Sequence, residues 1–139
     1  MNSEDSPINA IEEDTCWGYL DTAQVGRLAT SADGRPEIFP INYVVDGPSV
    51  VFRTAEGSKL DEIVRNHAVA FESDGWTDEG GWSVVLRGTA EVITGAEELA
   101  RCEKMPLRPW IPTVKKTWVR IEPDTITGRT FAFGPEPTA

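Results

Sequence analysis

The sequence has little with which to hold a metal or build a nucleophile. It contains one histidine, His67, and two cysteines, Cys16 and Cys102, far apart in the chain. Structural zinc sites draw on clustered Cys and His, so this scarcity nearly excludes one. Any Ser-His-Asp or Cys-His device would have to use His67. Both cysteines read as small buried apolar groups, and His67 as a packed or capping residue. Positive charge is also short: 13 Lys plus Arg face 23 Asp plus Glu, a net charge of −10. Such a chain repels phosphate backbones and anionic lipid, so neither nucleic acid nor a membrane is an expected partner. No apolar run approaches bilayer-spanning length. Met1 to Asp14 has neither the basic start nor the apolar stretch of a secretory signal. With cysteine so sparse, a reduced, cytoplasmic protein is expected.

What is present is an ordinary globular composition, 40% hydrophobic and 26% charged over 139 residues. That is one domain, long enough to bury a core. Residues 1–12 read as an acidic mobile tail, 13–134 as the domain, and 135–139 as a short C-terminal tail. There is no internal repeat.

Short alternating segments dominate. Thr15 to Thr22 predicts a short helix with Cys16, Trp17 and Leu20 on one face. Val25 to Thr30 and Glu37 to Val45 predict strands joined by a turn at Asp33-Gly34. Phe39, Ile41, Tyr43 and Val45 share a face of the second. Asp46-Gly47 marks another hairpin, before a strand from Ser49 to Thr54. Leu60, Ile63, Val64 and His67 then follow helical spacing, so Ser58 to His67 predicts a helix with Ser58 as its N-cap and Asp61 and Glu62 in its first turn. Ala68 to Glu72 is a strand and Asp74 to Gly81 an acidic loop. In the strand Trp82 to Thr94, Trp82, Val84, Leu86, Ala90 and Val92 alternate with Ser83, Arg87, Thr89 and Glu91. Gly95 to Lys104 is a short helix and Met105 to Thr113 a loop rich in Pro and Trp. Lys115 to Glu122 and Thr125 to Phe133 are two final strands. The fold class is therefore mainly β, a six- to seven-stranded antiparallel split barrel with short flanking helices, because closure leaves no long exposed edge.

Two stretches could carry chemistry. In Arg53-Thr54-Ala55-Glu56-Gly57-Ser58-Lys59 a strand ends, a glycine turns the backbone, and a helix begins. Unpaired N–H groups and the dipole at a helix start favour an anion, and Thr54, Ser58, Lys59 and Arg53 add hydroxyls and charge. The same pattern also describes a capped helix with a solvated lysine, and the full phosphate-loop pattern is absent. In Phe39-Pro40-Ile41-Asn42, a proline within a strand points to an edge, either a bare one or one facing a flat ligand. The five tryptophans read as core, barrel-end and interface residues.

The ordered set of segments resembles the pyridoxamine 5′-phosphate oxidase-like flavin-binding split barrels, close to the small branch that includes nitroimidazole-reductase-like proteins. The pieces are Val25 to Thr30, Gly34 to Pro36, Pro40 to Tyr43, Asp46-Gly47, Phe52 to Thr54, Gly57 to Leu60, Asn66 to Glu72, Trp82 to Val85 with Gly88, and Ile126 to Arg129. The resemblance implies a homodimer with two flavin mononucleotide (FMN) sites at the subunit interface. It implies that Arg53 or Thr54, Gly57, Ser58 and Lys59 hold the phosphate. The ring would lie against Phe39, Pro40, Ile41 and Asn42, with Ser83 near it and Arg129 reaching in from the partner.

The chain departs from the pyridoxal-producing oxidases. Those carry an Arg and a Lys where this sequence has Glu37 and Asn42, and they end in a basic substrate-binding motif that is missing here. Vitamin B6 oxidation is accordingly not expected. The expected function is FMN-dependent oxidation or reduction of an unidentified small molecule, with NAD(P)H a candidate electron donor. The flavin carries the hydride chemistry, so no catalytic triad is needed. A non-catalytic flavin carrier or sensor is the alternative. A barrel using a deazaflavin or haem is another, although −10 disfavours a polyanionic deazaflavin tail and haem would have only His67 as an imidazole ligand.

Overall fold

Seven antiparallel strands and three short helices make up the computed structural model, which describes residues 6–108, 111 and 114–138. In chain order these are β1 (Ile8–Ile11), α1 (Glu13–Leu20), β2 (Val25–Ala32), β3 (Arg35–Val45), β4 (Val50–Thr54), α2 (Ser58–Arg65), β5 (Ala68–Trp76), β6 (Gly80–Val92), α3 (Ala96–Cys102) and β7 (Thr117–Ala132). The sheet order is β1-β7-β4-β3-β2-β5-β6, and β6 pairs again with β7. Six strands therefore close on themselves and β1 is added outside. Along one edge β7 pairs with β6 from Val119 to Ala132. Its other edge serves β4 over Thr117–Ile121 and β1 over Gly128–Phe131.

The alternation read from the sequence becomes the barrel wall. Leu28, Ile41, Phe52, Phe71, Leu86 and Ile121 point inward and are buried, joined by Ile63 of α2 and by Cys16 and Leu20 of α1. Each such side chain contributes about 1.5–3 kcal/mol by leaving water. α1 packs against β6 and β7, and α2 against β2 and β6. Tyr43 fastens α1 to the barrel: its hydroxyl donates to the Leu20 carbonyl at 2.6 Å, and burial pushes its pKa up to about 12. A second apolar layer lies under α3, where Val51, Ile93, Cys102 and Trp118 are buried. Both thiols are free and buried, and burial raises the pKa of each.

Several sequence expectations change. Ile8–Ile11 pair with β7, so a strand occupies part of the stretch read as a tail through residue 12; Met1 to Asp5 lie outside the described residues. The loop read at Asp74 to Gly81 shrinks to Thr77–Glu79, because β5 runs on to Trp76 and β6 starts at Gly80. The two last strands are one. Pro123-Asp124 looked like a turn but forms a bulge opposite Arg87/Gly88, where a Cβ on Gly88 would run into the Glu122 carbonyl. The Asp33-Gly34 hairpin holds, with both residues at positive φ. α2 stops at Arg65, so His67 is exposed beyond it, with Nδ1 2.9 Å from the Ala90 carbonyl. Val64 and Val92, assigned to apolar faces, are exposed. Of the Met105 to Thr113 loop, Pro109, Trp110, Pro112 and Thr113 lie outside the described residues.

One ionic cluster ties α3 to the β3–β4 turn and to β7. Arg120 Nη1 donates to Asp46 at 2.7 Å and to Ser49 at 2.6 Å, while its Nε donates to Glu98 at 2.8 Å. Arg101 donates to both Asp46 oxygens at 2.7 and 2.8 Å. Burial pushes the Asp46 carboxyl up, but the bonds from Arg120 and Arg101 outweigh it and hold the pKa below the usual 3.8. A depressed carboxylate stabilises the fold above its unfolded pKa, and that contribution is lost as pH falls through the folded value. Asp46→Asn should therefore cost about 2–3 kcal/mol at neutral pH, because it removes one of the two carboxylates that hold the buried Arg120 and the carboxylate that holds Arg101. Urea unfolding midpoints at pH 7 and below pH 4 check this, and the gap between wild type and variant should shrink at the acid end.

Candidate functional site

β3 pairs with β2 over Arg35–Asn42 and with β4 over Tyr43–Val45. From Phe39 to Asn42 its one partner is β2. The Tyr43 N–H donates toward β2, to the Gln24 carbonyl at 3.2 Å. Strand alternation then turns the Pro40 and Asn42 backbone toward the edge opposite β2. Pro40 thus sits where its missing N–H costs no ladder bond. Beyond that edge lies an enclosed cleft of ≈110 Å³ lined by Pro40, Ile41, Asn42, Arg53, Lys59, Leu107, Ile111 and Lys115.

Its electrostatics are opposite to those of the chain. Three cations line it and no carboxylate does. Arg53 on β4 faces Trp118 on β7 and lies 5.2 Å from that ring centroid. Its Nε is buried and has no hydrogen-bond partner. Lys59, the second residue of α2, places Nζ 5.6 Å from the centre of the Phe39 ring. Burial, then the charge of Lys115, pushes its pKa below the ordinary lysine value. The helix dipole works against a cation at this end of α2 as well. Lys115 donates to the Ile111 carbonyl at 3.0 Å. Like charges held around a small apolar cleft favour an anion between them.

The expected phosphate cradle is therefore differently built. Gly57, not Ser58, is the N-cap of α2, with φ 153°, a conformation that glycine adopts without strain. No side chain caps the helix. Gly57 lines a separate open depression of ≈810 Å³ beside Leu60, Asp61 and Val64, and Ser58 is exposed. Thr54 is buried at the end of β4, and its hydroxyl donates to the Ala55 carbonyl at 3.2 Å. Ser83 and Arg129 pair with each other across β6 and β7, outside the cleft. Arg129 lies roughly 35 Å of strand beyond Trp118, at ~3.3 Å per residue. His67 does not line the cleft, and no group of three His, Cys, Asp or Glu able to hold a metal exists among the described residues. Lys115, Leu107 and Ile111 escaped the sequence reading. The available signal was Lys115-Lys116, the one adjacent pair of cations in an acidic chain.

The architecture and the cleft define a class: a closed antiparallel barrel split at β3/β4, with a cationic cleft in the split. Comparison with known proteins gives the family. Residues 12–130 match the pyridoxamine 5′-phosphate oxidase family model, and the chain belongs to that family. An uncharacterised protein of Mycobacterium tuberculosis is 47% identical over 94 residues, covering 68% of this chain and 86% of its own. A candidate pyridoxamine 5′-phosphate oxidase of Corynebacterium glutamicum is 41% identical, with a TM-score of 0.87, covering 96% of this chain and 100% of that one. An FAD-binding protein of Mycobacterium smegmatis is 40% identical, with a TM-score of 0.79, covering 89% and 98%. No helix among the described residues is long and apolar enough to cross a membrane.

A lysine whose pKa is depressed in the folded state penalises folding while it is charged, and stability recovers as pH rises through its folded value toward 10.5. Lys59→Met keeps the stem and removes the charge. Its ligand-free melting temperature at neutral pH should equal or exceed that of wild type. Added inorganic phosphate should raise the wild-type melting temperature and leave that of the variant nearly unchanged. Differential scanning fluorimetry with and without phosphate checks both.

Proposed function

We propose that the protein binds a flavin in this cleft and acts, in the cytoplasm, as a flavin-dependent oxidoreductase on a small molecule. The observation that carries the reading is the convergence of Arg53, Lys59 and Lys115, with no carboxylate, in a chain of net charge −10. The donor set suits a phosphate: two ammonium groups and a guanidinium whose buried Nε lacks a partner. The cofactor, when bound, supplies hydride transfer. The chain holds and orients it. Arg53, Lys59 and Lys115 neutralise the phosphate. The Pro40 carbonyl offers a hydrogen bond to the ring edge, and Phe39 and Ile41 exclude water beneath it.

FMN is the form a phosphate-sized cleft supports. FAD is the second reading, favoured by a neighbouring groove of ≈380 Å³ that includes Lys116 and by the relative described as FAD-binding. Ser83 and Arg129 would reach the ring only from a second copy, so a homodimer belongs to the proposal. Trp82 and Trp118 are buried within the chain and supply no surface for it, while Ile38 is 68% exposed. NAD(P)H remains the candidate electron donor. Oxidation of pyridoxamine 5′-phosphate is not proposed, since the charge of Arg120 is already matched by Asp46 and Glu98.

Visible spectra of protein mixed with FMN or FAD and then desalted test this directly. A retained flavin spectrum is expected. Lys59→Ala should weaken binding by about 1.5–3 kcal/mol, roughly ten- to a hundred-fold, and Lys115→Ala similarly. No retained flavin, or unchanged affinity in both variants, would overturn the assignment. Sedimentation should show a dimer at micromolar concentration, and Arg129→Ala should weaken flavin binding without opening the Lys59 cleft; a monomer with wild-type affinity would remove Arg129 from the site.

A further inference from the structure

The β5–β6 hairpin carries an open depression of ≈520 Å³ that the flavin reading does not use. Its walls are aromatic. Strand pairing sets Trp76, Gly81, Phe131 and Ile8 side by side across β5, β6, β7 and β1. The gap in that row is a glycine, and a Cβ on Gly81 would lie 2.9 Å from the Phe131 ring, which therefore leans over bare backbone. Trp76 flanks the gap and is 70% exposed. Behind them Tyr19 stacks on Trp82, with centroids 5.2 Å apart and planes at 22°. Gly75 continues the flat floor, since a Cβ there would meet the Trp82 indole nitrogen at 2.6 Å.

The charge is one-sided. No Lys or Arg lines the depression, while Asp74 and Glu79 do. Asp74 already accepts from Arg27 at 2.9 Å. Glu79 enters no ion pair among the described residues. Aromatic faces attract cations electrostatically, and a carboxylate at the rim adds to that field. A flat floor and an exposed indole suit a planar ring.

We propose that this depression is a second small-molecule site that takes planar aromatic cations. It shares none of the lining residues of the Lys59 cleft and needs no flavin to be tested.

Isothermal titration of the full chain with N-methylquinolinium, and with neutral quinoline at the same pH, tests it. Saturable binding of the cation is expected, about fivefold or more tighter than quinoline. Trp76→Ala should weaken it about tenfold, Trp76→Phe less, and Glu79→Gln about threefold, with the Glu79 effect fading in high salt. Lys59→Ala should bind the cation as wild type does, which separates this site from the flavin cleft. Absence of saturable binding, equal affinity for quinoline, or an unchanged Trp76→Ala chain would overturn the proposal. So would a Trp76→Ala chain that alters sedimentation but not cation binding, since the indole would then belong to a contact between copies.

Discussion

Strand β7 carries more of this structure than any other element, because three strands depend on its two edges. β6 takes one edge along most of its length, and β4 and β1 divide the other. Barrel closure, the placement of Arg53 opposite Trp118 and the docking of the N-terminal strand all follow from that allotment. A strand of this length has to bend to close a small barrel. The bulge at Pro123, facing a glycine that lets the Glu122 carbonyl approach, supplies the bend without a break in pairing. Inside the barrel the force is apolar burial, and outside it α3 is held by a second apolar layer and by the Asp46–Arg120 cluster.

The split between β3 and β4 is the complement of that closure. β4 is committed to β7 along its length and meets β3 only at Tyr43–Val45. The upstream half of β3 is left with one bare edge, and an unpaired strand edge is a row of hydrogen-bonding groups seeking a partner. Lys59 of α2 and Lys115, just before β7, line the same cleft. In a chain with ten more acidic than basic groups, such a gathering of cations costs stability unless an anion joins them. The downward shift of the Lys59 pKa, from burial and then from Lys115, is the visible sign of that cost.

Much of the barrel was legible in the sequence. Two-residue alternation in β2, β3 and β6, the Asp33-Gly34 turn and the change of period at Ser58 each rest on local backbone geometry, which short stretches encode. So was half of the cleft: Pro40 announced an open edge, and Gly57-Ser58-Lys59 announced the start of a helix. The errors fell where a neighbour from far along the chain settles the outcome. Ile8–Ile11 look like a polar tail until β7 offers an edge, and Pro123-Asp124 look like a turn until β6 pairs through them. His67 follows the helical spacing, yet the Ala90 carbonyl holds it outside the helix.

By itself the sequence determined the cores of β2 to β6, the Asp33-Gly34 turn, and that cations would be scarce enough for any cluster of them to matter. Tertiary structure decided which cations meet. Lys115 joins Arg53 and Lys59 because β4 pairs with β7, which brings the start of β7 beside the end of β4. It also decided that Ser83 and Arg129 face each other away from that cleft, and that Trp76 stands in water while Trp82 and Trp118 are buried. Periodicity fixes the face of a strand on which a residue lies. Strand order and register, set by long-range pairing and closure, determine what that face meets.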